Sequence, residues 1–318
     1  MSKLYEALRR MEQEKLGPSG ALPETHIPVD FLGTAFEPPV EYVEDALSAT
    51  LAPTPQSRVI AFNEPRSLGA EKFRALATRL EHLRRQKEYK SMQVTSAVIN
   101  EGKTLVAANL AITLARQAGS RVLLVEGDLH RPSLTSLLFQ SSMNGISHWW
   151  TEAEGSLQPY IRKVSDLSLS YLSAGMPSEE PAQLLQSARF AEAFSKVISA
   201  FDWVVVDSTP MSPVVDANLW SRLVDGTLLV VREGVTPTRE LKKGLASLDT
   251  PKLLGVVLNE ASEFDYMHYQ DQYGYPPRLE ASGNGGPRFR RYLVHVDRVR
   301  TWLQADMRHS ARRPRRKN

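Results

Sequence analysis

The run Ala97-Val-Ile-Asn-Glu-Gly-Lys-Thr104 stands between a predicted strand and a helix-forming stretch. In that setting the N–H groups of a loop and of a helix N-terminus gather around phosphate oxygens. A lysine there adds charge for the β- and γ-phosphates, and a threonine hydroxyl suits Mg²⁺. Asn100, Glu101, Gly102, Lys103, Thr104 and Leu105 are therefore the expected cradle of a nucleotide, with ATP and Mg²⁺ as its ligands. A second signal is Trp203-Val-Val-Val-Asp207, an apolar strand running straight into an acid. Open parallel sheets bind ligands at such carboxyl ends, and Asp207 is expected in the magnesium shell. A third is Leu123-Leu-Val-Glu126-Gly-Asp128, a strand ending in two carboxylates one residue apart. Glu126 and Asp128 are expected to divide the work, one serving the metal and the other a reacting hydroxyl or water. The expected metal ligands are Thr104, Asp128 and Asp207. The expected catalytic set is Lys103, Glu126, Asp128 and Asp207.

These residues need a parallel sheet to bring them to one edge, and the pattern supplies it. Short apolar runs at Ser91–Ser96, Val122–Glu126, Leu167–Leu172, Trp203–Asp207, Thr227–Val231 and Leu253–Asn259 read as strands. Helical periodicity lies before and between them, at Glu71–Arg85, Thr104–Ala118 and Pro181–Ala200. Apolar strands joined by helices predict an α/β fold, a P-loop NTPase with a mostly parallel sheet and helices on both faces. The expected organisation is an amphipathic helix over 1–17, a Pro-rich linker over 18–57 and a P-loop domain over 58–262. A tyrosine-bearing segment over 263–286 and a basic helix and tail over 287–318 follow.

Composition bounds the function class. The chain has 318 residues, no cysteine and a formal charge of +3. Without cysteine, disulfides, thiolate metal sites and thiol nucleophiles are excluded, and a reducing, cytoplasmic setting fits. The start carries charge throughout and does not read as a secretory signal. No apolar run approaches the length of a membrane span. Positive charge concentrates at the end, where Arg288, Arg290, Arg291, Arg298, Arg300, Arg308, Arg312, Arg313, Arg315, Arg316 and Lys317 face only Asp297 and Asp306. Such a tail can meet nucleic acid, anionic lipid or an acidic partner. No nucleic-acid module accompanies the charge, so nucleic acid is not an expected partner.

The chain resembles the bacterial tyrosine kinases of capsule and exopolysaccharide synthesis in their cytoplasmic form, within the wider MinD/ParA group of P-loop ATPases. The resemblance runs from about Glu64 to Tyr275. It rests on Thr95-Ser-Ala-Val-Ile-Asn-Glu-Gly-Lys-Thr104, Asn109-Leu-Ala111, Leu123–Pro132, Val204–Pro210, Pro181–Ser187, Asp216-Ala217, Val230-Val-Arg232 and Gly255–Asn259. It implies an ATP-dependent protein-tyrosine autokinase regulating polysaccharide assembly or export. It also implies that Asn259, with Arg232 nearby, meets the nucleotide, and that Tyr266, Tyr269, Tyr273 and Tyr275 are phosphoacceptors. Further implications are a homo-oligomer through Glu71 and Arg74, and a membrane-anchored polysaccharide co-polymerase as activator. The latter would hold the protein peripherally at the inner membrane. The chain departs from the family pattern in four places. Ile99-Asn100 replaces Pro-Gly, Glu126 replaces an aspartate, His130 replaces an arginine, and Ala77 stands where a third oligomer-motif residue is an arginine. These departures keep a second reading open, a nucleotide-binding scaffold with weak or lost kinase activity. A third, a MinD/ParA-like positioning ATPase, would call for a lysine early in the phosphate loop, and Ala97 to Asn100 offer none.

Overall fold

The computed structural model describes residues 47–117, 119–152, 155–212, 215–247, 252–261 and 291–295. The amphipathic 1–17, the tyrosine-bearing 263–286 and most of the basic tail lie outside them.

The strands are β1 (Ser48–Ala49), β2 (Ser91–Ser96), β3 (Val122–Glu126), β4 (Ile161–Val164), β5 (Leu169–Leu172), β6 (Trp203–Asp207), β7 (Gly226–Arg232), β8 (Leu253–Ala261) and β9 (Arg291–His295). They form one sheet in the order β1-β4-β5-β3-β6-β2-β7-β8-β9. The six strands from β5 to β8 in that order are mutually parallel, while β4 runs antiparallel to β5 and β9 antiparallel to β8. The parallel strands therefore end along one edge, which carries Ser96, Glu126, Asp207, Arg232 and Asn259.

Both faces of the sheet are covered, and alternation assigns the residues. Val122 and Leu124 of β3, with Trp203 and Val205 of β6, pack on one side. There they meet Phe73, Leu76 and Leu80 of α2 (Leu68–Lys87) and Leu110, Ile112 and Leu114 of α3 (Lys103–Ala115). Leu123, Val125, Val204 and Val206 face the other way. On that side stand Phe190 and Phe194 of α7 (Ala188–Ser199) and Trp220 of α8 (Asp216–Leu223). Two-sided burial is why these strands read as continuous apolar runs. The remaining helices are α1 (Ile60–Asn63), α4 (Leu134–Leu138), α5 (Ile146–Thr151), α6 (Pro181–Gln186) and α9 (Thr238–Ser247). No helix among the described residues is long and apolar enough to cross a membrane.

The structure corrects the sequence reading in three places. The proline-rich stretch does not stay a linker up to residue 57. β1 pairs with β4, Leu51 is buried, and Ala52 N–H donates to the Leu138 carbonyl at 2.8 Å. The single helix expected over Pro181–Ala200 is two, because Ser187 leaves the helical region (φ −70°, ψ 137°) and caps α7 by accepting from Phe190 N–H at 3.1 Å. In the expected basic helix over 287–318, Arg291–His295 is instead a strand on the edge of β8.

Asn109, inside α3, is fully buried and ties the helix to the segment before α2. Its Oδ1 accepts from Ala61 N–H at 2.7 Å, and its Nδ2 donates to the carbonyls of Arg58 at 2.9 Å and Leu105 at 2.8 Å. Asn109→Ala leaves those groups unpaired in a dry site. It is expected to lower unfolding free energy by about 2–4 kcal/mol, read as a fall in urea midpoint at unchanged slope.

Candidate nucleotide-binding and phosphoryl-transfer site

The phosphate loop spans Ala97–Gly102 between β2 and α3. Two of its residues take left-handed backbone, Asn100 at φ 62° and Gly102 at φ 92°. Asparagine tolerates that region better than other residues with a Cβ, which explains how position 100 dispenses with glycine. Position 102 cannot do so, since an added Cβ would stand 2.2 Å from Asn259 Nδ2.

The loop is held from beneath by its own glutamate. Glu101 is buried, and its carboxylate accepts from Val98 N–H at 3.0 Å and from the Thr236 hydroxyl. Burial pushes its pKa up, against the pull of those hydrogen bonds. The Glu101 carbonyl accepts from Asn259 Nδ2 at 2.7 Å. Glu101 thus turns its side chain to the loop after β7, away from the phosphate face expected of it. Leu105 is half-buried against the core. Asn259 and Arg232 are register partners at the ends of β8 and β7. Arg232 Nε pairs with Glu260, and Arg232 N–H donates to the Thr236 hydroxyl at 2.9 Å. Nothing in the sequence pattern singled out Thr236 or Glu260; their roles exist only because the β7 and β8 ends are adjacent.

Lys103 Nζ stands at the head of α3, 3.4 Å from Asp128 Oδ2, 3.5 Å from Asp207 Oδ1 and 3.3 Å from Thr104 Oγ1. The three signals of the sequence therefore meet at one ammonium. Burial acts to lower the Lys103 pKa, but the charges of Asp207 and Asp128 together outweigh it and the ammonium is held above its ordinary value. Asp207 is pushed up to about 6 by burial, which the Lys103 charge only partly offsets. Its Oδ1 is sealed from solvent and accepts no hydrogen bond among the described residues.

Gly127 makes this convergence possible. A Cβ there would meet Val206 Cγ1 at 2.6 Å and the Asp207 carbonyl oxygen at 3.1 Å. The bare backbone instead donates to that carbonyl at 2.8 Å and accepts from Trp220 Nε1 at 2.9 Å. The next residue, Asp128, turns one carboxylate oxygen to Lys103, while the other accepts from Arg131 N–H at 3.0 Å.

Glu126 departs from its expected role. It is fully buried. Its Oε1 accepts from the N–H groups of Leu134 at 2.6 Å and Thr135 at 3.0 Å. Its Oε2 accepts from the Thr135 hydroxyl at 2.6 Å, the Tyr171 hydroxyl at 3.1 Å and Ala174 N–H at 3.2 Å. Strand alternation puts Glu126 on the face of Val122 and Leu124, and its extra methylene carries the carboxylate into that layer. The carboxylate is spent on holding α4 and the end of β5 to β3, and the work does not divide as the spacing suggested.

Among the described residues no cluster of three or more histidines and carboxylates could hold a metal by itself. The donor set still fits Mg²⁺ arriving with phosphates, since that ion takes one or two carboxylates and completes its shell with phosphate oxygens and water. The orphaned Asp207 Oδ1, the Thr104 hydroxyl and the Asp128 carboxylate provide such donors around the P-loop head. Of the oligomer-motif residues, Glu71 and Arg74 pair with each other on the outer face of α2. Ala77 is fully buried in the core, so the motif's second arginine could not stand there. His130 Nε2 lies 3.1 Å from Asp216 Oδ2. Tyr266, Tyr269, Tyr273 and Tyr275 lie outside the described residues.

No family model matches the sequence. The tyrosine-protein kinase YwqD of Bacillus subtilis is 32% identical over 225 residues, 69% of this chain and 94% of that protein. The succinoglycan biosynthesis transport protein ExoP of Rhizobium meliloti is 34% identical over 72% of this chain, which spans only 29% of that longer protein. In structure, the chain is similar to the chimeric protein CapA2B2, with a TM-score of 0.59 at 28% identity, over 68% of this chain and 95% of that one.

The raised pKa of Asp207 makes a stability prediction. A carboxyl whose pKa rises on folding binds its proton more tightly in the native state, so the folded protein loses stability as pH climbs from about 4 to about 6. Without nucleotide, Asp207→Asn removes that burden. It is expected to be more stable than the parent by roughly 2–3 kcal/mol at pH 7 and by little near pH 4, read by thermal melts across that range.

Proposed function

This chain belongs to the bacterial tyrosine kinases of capsule and exopolysaccharide synthesis, and we propose that it transfers the γ-phosphoryl group of ATP to tyrosines of a neighbouring copy of itself. The observation that carries the reading is the Lys103 ammonium held between Asp128 and Asp207 at the head of the phosphate loop. In the resting site the two acids hold the lysine. With ATP bound, Lys103 turns its charge to the β- and γ-phosphates, beside the N–H groups at the start of α3. Asp207 and Thr104, with Asp128, are the residues that would hold Mg²⁺. When bound, the ion neutralises charge building up on the phosphates.

With Glu126 committed to structural donors, Asp128 is the carboxylate of the pair that faces the site and can serve the reacting hydroxyl. It accepts the phenolic proton as the tyrosine oxygen forms its bond to the γ-phosphorus. The bond from that phosphorus to the bridging oxygen breaks, and ADP leaves. Asn259 and Arg232, neighbours at the ends of β8 and β7, would flank the base. The acceptors are Tyr266, Tyr269, Tyr273 and Tyr275, in a segment between β8 and β9 rich in Gly, Pro and Tyr. Glu71 and Arg74, exposed on α2, offer a contact between copies. A membrane-anchored polysaccharide co-polymerase is the expected activator, with the basic tail adding contact to anionic lipid. The scaffold reading is favoured by one observation, the full commitment of Glu126 to structural hydrogen bonds.

Lys103→Ala is expected to weaken ATP binding at least tenfold by calorimetry, because a charge-assisted phosphate contact contributes roughly 1.5–3 kcal/mol. It should also abolish phosphotyrosine in the presence of Mg²⁺. Tight ATP binding by the parent protein without any phosphotyrosine would decide for the scaffold instead. Truncation after Asp297 keeps β9 and removes Arg298 to Lys317. Binding to anionic vesicles is then expected to fall, and the lost part should be the part that salt screens, at about 1 kcal/mol per basic residue near the surface.

A further inference from the structure

Beside the exit of β3 lies a cavity of about 540 Å³ that the phosphoryl-transfer reading leaves unused. Glu179, Glu180 and Asp216 line it together with His130, which lies two residues past Asp128 in the chain. Pro181 and Val215 make an apolar wall. Among the described residues no lysine or arginine lines it. The two glutamates are exposed at its rim, whereas Asp216 is only 1% exposed. Asp216 Oδ2 has the His130 ring nitrogen 3.1 Å away and no other donor among the described residues. A buried carboxylate oxygen short of donors is costly unless something else brings one.

A guanidinium answers that need. It carries several N–H donors in a planar fork that matches carboxylates, and its methylene stem suits an apolar wall. The tyrosine-bearing segment contains such a group at one place only near its tyrosines, Arg278 in Tyr273-Gly-Tyr275-Pro-Pro-Arg278. In an extended chain a residue three places on lies roughly 10 Å away. His130 is two residues past Asp128, so a tyrosine at Asp128 has the cavity within reach of its third following residue when the acceptor chain runs toward His130. The other tyrosines carry the opposite sign. Tyr266 adjoins Asp265, and Tyr269 and Tyr273 flank Asp271, which two rim glutamates would repel.

We propose that this cavity receives Arg278 of a neighbouring copy, and that it thereby makes Tyr275 the preferred phosphoacceptor. The inference rests on the kinase reading and on the acceptor segment given above, and it adds the order in which the tyrosines react.

The test uses full chains. The enzyme is a variant whose Tyr266, Tyr269, Tyr273 and Tyr275 are all changed to Phe. The acceptor is the Lys103→Ala chain, and mass spectrometry follows phosphate at each tyrosine over time. Tyr275 is expected to be phosphorylated first. Arg278→Ala in the acceptor should slow Tyr275 at least fivefold while leaving Tyr266 unchanged. Glu179→Gln with Glu180→Gln in the enzyme should do the same, with the KM for ATP unaltered. The exposed position of both glutamates keeps the fold out of the comparison. Reversal of charge on both sides, Glu179→Lys and Glu180→Lys against Arg278→Glu, should restore the preference. If the Arg278 variant slows Tyr275 but the glutamate variants do not, the arginine is read elsewhere and the cavity assignment is overturned. Equal rates at Tyr275 in all variants overturn the selection itself. Absence of phosphate from all four tyrosines, with phosphotyrosine formed elsewhere, removes the acceptor reading and this inference with it.

Discussion

The rest of the site depends on a single buried ammonium. Asp128 and Asp207 come from different strand ends, and two carboxylates this close in a dry edge would repel each other if nothing stood between them. Lys103 stands there, 3.4 Å from one and 3.5 Å from the other. It lets both acids sit at one point, and they in turn keep the lysine charged against its own burial. The balance is incomplete, since Asp207 still sits at about 6 and one of its oxygens accepts no hydrogen bond. That deficit is what a magnesium ion and a phosphate chain would relieve, so the strain is placed where a ligand is expected.

Around this point the fold separates holding from reacting. Glu126 ends β3 as the register partner of Asp207 on β6, yet its carboxylate turns inward and collects donors from α4 and β5. Glu101 does the same for the phosphate loop through Val98 and Thr236. Both are acids placed by the sequence among binding residues, and both spend their charge on backbone and hydroxyl donors instead. Such buried, well-satisfied carboxylates fix loop geometry more than they act on ligands. A loop that is to cradle phosphates works best when it is rigid before the ligand arrives.

Much of this was legible in the residues alone. The parallel core strands, the P-loop and both acid-ended strands follow from local patterning, because two-sided burial forces unbroken apolar runs and a phosphate loop must lie between strand and helix. Even the unusual Asn100 was readable, as a residue that accepts the left-handed backbone glycine would otherwise supply. The short strands at and next to the sheet edges were not readable. β1, β4 and β9 are two to five residues long, and their pairing depends on a neighbour far away in the chain, which no local period records.

The sequence by itself determined which groups are present for chemistry and that one sheet edge would collect them, because apolar strands joined by helices must run parallel and end on the same side. Only the tertiary structure decided what each group does there. Whether an acid at a strand end reacts or is consumed depends on which donors surround it. Glu126 meets five within 3.2 Å, while Asp207 Oδ1 meets none. Those donors come from residues 8 to 48 positions away, and only packing brings them within hydrogen-bond reach.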